Sequence, residues 1–155
     1  MKVKNFKEIK KIVEDLKKKN KKIVTTNGVF DILHVGHVRF LEKAKQLGDV
    51  LIVGINSNES TKKFKGDSRP INDEKDRAEI IAALRCVDYV FIFNELDPRK
   101  FLSILRPNIH VKDKNYKKHA IIELDVIKNY GGAFKQINST KGYSTTKFIE
   151  KIKKS

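Results

Sequence analysis

Thr25-Thr26-Asn27-Gly28-Val29-Phe30-Asp31-Ile32-Leu33-His34-Val35-Gly36-His37 joins the end of a strand to the start of a helix. Residues 22–26 are a short β-branched run, which suits an extended chain. Gly28 turns the chain. From Val35 the apolar residues Val38, Leu41, Ala44 and Leu47 fall at helical spacing until Gly48 stops them. The same alternation continues outward. Residues 50–55 form a continuous apolar run, as in a strand buried on both faces. The polar stretch 56–70 is expected to be a mobile loop carrying Lys62, Lys63 and Lys65. A helix opens at Asn72 or Asp73 and runs to Arg85, with Ile80, Ile81 and Leu84 facing inward. Strand 89–93, helix 98–105, strand 109–111, helix 118–130, strand 133–137 and a helix from Ser144 to the end follow.

Strands separated by helices imply right-handed crossovers and a parallel sheet. The expected architecture is α/β, with a doubly wound five-stranded parallel sheet in one domain spanning residues 1–155. In residues 1–21, Phe6, Ile9, Ile12, Val13 and Leu16 recur at helical spacing with Lys on the other face. They predict an amphipathic helix packed on that domain. In such sheets, ligands bind at the carboxyl ends of the strands, where the strand order reverses. The residues just after the first strand are therefore the first candidates for a site.

The 155 residues suit one domain of ordinary size. No apolar run approaches the roughly 20 residues a membrane helix needs, and a cytoplasmic protein is expected. Cys86 is the only cysteine, so an intrachain disulfide or a cysteine metal cluster is excluded. The net charge is +15, which raises nucleic-acid binding as a rival reading. Of 34 basic residues 28 are Lys, whereas planar recognition of phosphate favours Arg. Residues 1–22 hold ten Lys against Glu8, Glu14 and Asp15. That excess reads as the solvated face of the first helix, so the balance is against a nucleic-acid module. The charge would still attract anionic substrates.

His34 and His37 lie three apart at a helix start, with Gly36 between them. Free amides, the positive helix end and two imidazoles make an arrangement suited to anions. Two plainer readings stand beside it. The histidines could cap or fill the helix start, or they could join Asp31, His110 or His119 in a zinc site.

The run from Val29 to His37 resembles the HxGH signature of the nucleotidyltransferase superfamily, in its cytidylyltransferase-like branch. Ser144-Thr145-Thr146 resembles the second family motif, a Ser/Thr cluster opening the last helix. The resemblance covers the chain from Thr25 onward and is strongest to the adenylyltransferase domain of ADP-heptose synthases. Its characteristic stretches are Thr26 to His34, Asn56 to Lys62, Lys65-Gly66-Asp67-Ser68-Arg69-Pro70, Val111-Lys112 and Ser144-Thr145-Thr146. Glycerol-phosphate cytidylyltransferases carry an Arg before the second motif, where this chain has Ser139; that turns the expectation from CTP towards ATP. An alcohol-phosphate cytidylyltransferase and a flavin adenylyltransferase are the alternatives of the same class.

What the resemblance implies is a Rossmann-like fold and transfer of a nucleoside monophosphate from ATP to a sugar 1-phosphate of the heptose type, with release of pyrophosphate. His34, His37 and Lys65 would be catalytic. Val29, Phe30, Gly36, Lys63, Ser144, Thr145 and Thr146 would hold the nucleotide, and Asn56 and Lys112 the sugar phosphate. Mg²⁺ would bridge phosphates and keep most of its waters, with no protein ligand set. The run Arg85-Cys86-Val87-Asp88 resembles a two-fold interface of related enzymes, so a homodimer pairing Arg85 with Asp88 across the interface is expected.

Overall fold

The computed structural model describes residues 1–114, 122–138 and 142–154. The strands are β1 (Ile23–Gly28), β2 (Val50–Asn56), β3 (Tyr89–Phe93), β4 (Ile109–Asp113) and β5 (Ala133–Ile137). They form one parallel sheet in the order β3-β2-β1-β4-β5. The helices are α1 (Phe6–Lys18), α2 (Val35–Lys45), α3 (Asn58–Lys65), α4 (Glu74–Ala83), α5 (Arg99–Leu105), α6 (Leu124–Asn129) and α7 (Thr145–Lys153). The doubly wound sheet expected from the sequence is thus present. Of the expected helix over residues 118–130, the first part lies outside the described residues, as do His119 and Ser139.

Side chains alternate across each strand, so the sheet feeds two cores. Leu51, Val53 and Ile55 of β2 face Leu41 and Ala44 of α2 and Ala78 and Ile81 of α4. Val50 and Ile52 turn to the opposite layer with Ile9 and Val13 of α1, Phe101 and Leu105 of α5 and Ile127 of α6. The N-terminal helix starts with a capping box: Asn5 accepts from the Glu8 amide, and Glu8 accepts from the Asn5 amide. Val3 bridges to Val90 and covers the outer edge of β3.

Two expectations are corrected. Residues 58–65 are helical, not a mobile loop. Ser57 caps this helix by accepting from the Ser60 amide at 3.1 Å. Its buried side is Ser60 and Thr61, whose hydroxyls donate to the carbonyls of Glu95 and Ser57. Polar residues satisfied internally leave no apolar periodicity to read. In α4, Ile81 faces inward as expected, but Ile80 is exposed and Arg77 and Ala78 are buried in its place. Within its own chain, one oxygen of the Asp88 carboxylate meets the Leu51 amide and the Lys45 ammonium.

Candidate active site

The carboxyl ends of β1, β2 and β4 open into a cleft of about 620 Å³. β1 and β4 are neighbours although β2 and β3 lie between them in the chain. The strand order reverses there, and crossovers leaving to opposite faces create the crevice. All twelve residues named from the sequence as catalytic or binding line this cleft.

The turn after β1 is tightly determined. Phe30 adopts the left-handed region, φ 48°, uncommon for a bulky residue. Its ring folds over Gly28, where an added Cβ would stand 2.9 Å away. Arg77, fully buried, donates to the Val29 carbonyl at 2.6 Å, to Asn58 Oδ1 at 2.9 Å and to the Asn72 carbonyl at 3.0 Å. The carboxylate of Asp31 accepts from Arg69 Nε at 2.7 Å and from the Ile71 and Asn72 amides. Burial pushes the Asp31 carboxyl up, but these donors prevail and hold it below the ordinary value. The segment leading from α3 to α4 is thereby pinned to the turn that carries Val29 and Phe30.

His34 is the N-cap of α2: its Nδ1 accepts from the His37 amide in a long contact of 3.4 Å. An accepting Nδ1 puts the proton on Nε2, leaving that nitrogen as a donor. The His34 and His37 rings stack with centroids 3.7 Å apart, and the edge of Phe30 closes on His37 at 5.2 Å. Gly36 makes this possible, because a Cβ there would come within 2.9 Å of His34 Nδ1 and 3.1 Å of Tyr143 Cβ. Burial, then the proximity of His34 and Lys65, lowers the His37 pKa to about 4. Burial also lowers that of His34. At neutral pH both rings are therefore uncharged donors. Lys65, at the end of α3, is itself held below its ordinary value by burial and by Arg69.

The start of α7 completes this wall. Ser144 caps it by accepting from the Lys147 amide at 3.2 Å, and Thr145 and Thr146 form the first turn at the cleft. The first amides of a helix lack intrahelical partners and favour anions. Phe148 of α7 stacks on His34 at 5.8 Å. Lys63 sits at the exposed rim in an ion pair with Glu59. Asn56 is buried and donates to Ser60 Oγ at 3.2 Å. Lys112, near the end of β4, is buried against Glu123, Nζ to Oε1 3.2 Å.

His110, weighed above as a metal ligand, lies fully buried in β4 with Nδ1 2.9 Å from Thr25 Oγ1. Burial holds it well below its ordinary pKa. Among the described residues no group of three His, Cys, Asp or Glu could hold a metal ion, so the zinc reading has no support there.

Sequence reasoning missed Arg77 and Glu123, and it took Asp31 only as a neighbour of the histidines. Arg77 lies in a charged helical stretch that reads as solvent-facing. Asp31 carried a better signal, being a carboxylate inside the motif itself.

A cytidylyltransferase-like family model matches residues 25–151. The bifunctional protein HldE of Geobacter metallireducens is 46% identical over 97% of this chain, and that of Nitratiruptor sp. is 48% identical over 97%. The chain spans 31% and 32% of the length of those two relatives. A lipopolysaccharide core biosynthesis protein from Thermoplasma volcanium, of known structure, matches with a TM-score of 0.65 and 32% identity, covering 80% of this chain and 99% of that one. With its histidine pair and its Ser/Thr helix start on one cleft at the switch point of the sheet, the chain belongs to the cytidylyltransferase-like family of nucleotidyltransferases.

Proposed function

We propose that the chain transfers the adenylyl group of ATP to a sugar 1-phosphate of the heptose type and releases pyrophosphate, acting as a two-fold dimer. The observation that carries this reading is the division of the cleft. His34 stacks on His37 and on Phe148 of α7, and Lys65 lies near enough to His37 to lower its pKa, whereas Lys112 forms a second group with Glu123. The first group suits a triphosphate and the second a phosphorylated acceptor. The sequence resemblance to adenylyltransferase domains of ADP-heptose synthases supports the acceptor and the base.

In the reaction, an oxygen of the acceptor phosphate forms a bond to the α-phosphorus. The bond from that phosphorus to the bridging oxygen of the β-phosphate breaks, and pyrophosphate leaves with the electron pair. The attacking phosphate is already ionised, so no strong base is needed. The barrier comes from bringing anions together and from charge growing on the phosphate oxygens. Positioned donors address both. Nε2 of His34 donates to a phosphate oxygen, and His37 beside it supports the same charge. Amides after β1 and at the start of α7, with Thr145 and Thr146, hold the phosphates. Lys65 closes from α3, and Lys63 adds charge at the rim. Asn56 and Lys112 seat the acceptor. Mg²⁺ bound to the triphosphate would reduce its charge and keep most of its waters, so these side chains need supply few ligands to it.

The test is pyrophosphate release across four nucleoside triphosphates and a panel of sugar and alcohol phosphates. Release with ATP and a sugar 1-phosphate is the expected result. Preference for CTP or for an alcohol phosphate would move the chain to the cytidylyltransferase reading.

A further inference from the structure

We propose that Glu123 determines which acceptor the cleft takes, by holding the Lys112 ammonium at the end of β4 and accepting a hydrogen bond from a hydroxyl of the acceptor's polyol part. This rests on the transfer reaction proposed above. Both side chains are almost wholly buried, at 6% and 7% exposure. An ion pair this deep recovers little more than its desolvation cost, and an apolar pair of similar volume would hold the fold as well. Their surroundings on this side of the cleft include Leu96, Pro98 and Ile122. Stability therefore does not account for the pair, and its place in the wall of the cleft does.

The charges decide what meets Glu123. The histidines that suit a polyphosphate are carried on α2, in the layer of Leu41 and Ala44, whereas Lys112 shares a strand face with His110, which packs towards Phe101 and Phe134 in the other layer. A phosphate set directly against the Glu123 carboxylate would be repelled. An uncharged polyol would not, since a carboxylate has two acceptor oxygens and the Lys112 contact uses one. Asp97, the other acid whose charge reaches Lys112, is already gripped by the Arg99 fork at 2.9 and 3.0 Å. Glu123 is thus the carboxylate paired directly with the cation assigned to the acceptor. It serves as a specificity residue that also positions Lys112.

The test compares heptose 1-phosphate with its monodeoxy analogues, competing in one tube with ATP, for the wild-type chain, Glu123→Gln and Glu123→Ala. Losing a hydrogen bond to a charged group costs about 10- to 100-fold in selectivity. The wild type should reject one deoxy analogue by that factor. Glu123→Ala should reject it hardly at all, and Glu123→Gln should fall between. The KM for ATP should change less than about two-fold, as expected for a group away from the nucleotide. Selectivity within one tube does not depend on how much of the variant is folded, so a merely structural role would leave it unmoved. Unchanged selectivity in both variants overturns the proposal while the transfer reaction stands. No pyrophosphate from the wild type with heptose 1-phosphate overturns the reaction itself, and this inference with it.

Discussion

The uncharged imidazoles of His34 and His37 stack on each other in the cleft, and their state is set by burial. His37 ionises at about 4 when folded and at 6.5 when exposed. Between these values the unfolded chain binds more protons than the folded one. Stability is therefore undiminished above about 6.5 and falls as the pH drops towards 4, by at most about 1.4 kcal/mol per pH unit from this group. Urea midpoints measured from pH 4 to 7 should show that slope, and His37→Gln should flatten it. A polyanion beside the ring favours its charged form, so binding of Mg²⁺-ATP should take up protons near pH 6. Calorimetry in buffers of different ionisation enthalpy reads this directly; identical heats would place the triphosphate away from His37. Loss of one positioned donor typically costs about 10²–10³ in rate, and His34→Ala and His37→Ala should each lose that much kcat while melting cooperatively. Spacing alone left the pair open to capping or zinc binding, and it was legible because the run from Val29 to His37 resembles the HxGH signature. Arg77 and Glu123 were not. An arginine in a charged helix and a glutamate before one look solvated until tertiary contacts bury them.

Among the elements, α3 and the segment after it depart most from what the sequence suggests. Strands and apolar-faced helices are written in hydropathy, and those were legible to within a few residues. The helix α3 is held by a cap and by hydroxyl-to-carbonyl bonds, which hydropathy does not record. Its consequence is functional, because Lys65 is carried on a structured element tied down through Asp31, not on a free loop. Removing the carboxylate would leave the Arg69 guanidinium buried without its partner, at a cost of about 3–5 kcal/mol. Asp31→Ala should lower stability by that order and speed tryptic cleavage after Lys62, Lys63 and Lys65. Cleavage at the wild-type rate would show that the tether does not order α3. Lys65→Ala should lose rate far more than stability, since a side chain at the cleft edge adds little to folding. A matched loss of both would make Lys65 structural. Gly36→Ala belongs at this scale too. The new methyl would push on His34 and Tyr143, so kcat should fall although neither histidine is altered, and an unchanged kcat would mean the ring has room to move.

At the scale of the whole molecule, the parallel sheet gathers residues from Val29 to Thr146 into one cleft, and the switch point between β1 and β4 accounts for its place. Among the described residues no helix is long and apolar enough to cross a membrane. The two-fold dimer is tested by sedimentation at micromolar concentration, where a species of 17.9 kDa would rule it out. A dimer that survives Arg85→Glu would keep the assembly and locate the interface elsewhere. The central claim is that the cleft joins two phosphates and does not merely hydrolyse one. It is tested most directly by following ATP and heptose 1-phosphate with the wild-type chain by ³¹P NMR. Equal amounts of pyrophosphate and of a new diphosphate ester with two coupled resonances are expected. Orthophosphate or AMP without that ester, or no change in the spectrum, would contradict it.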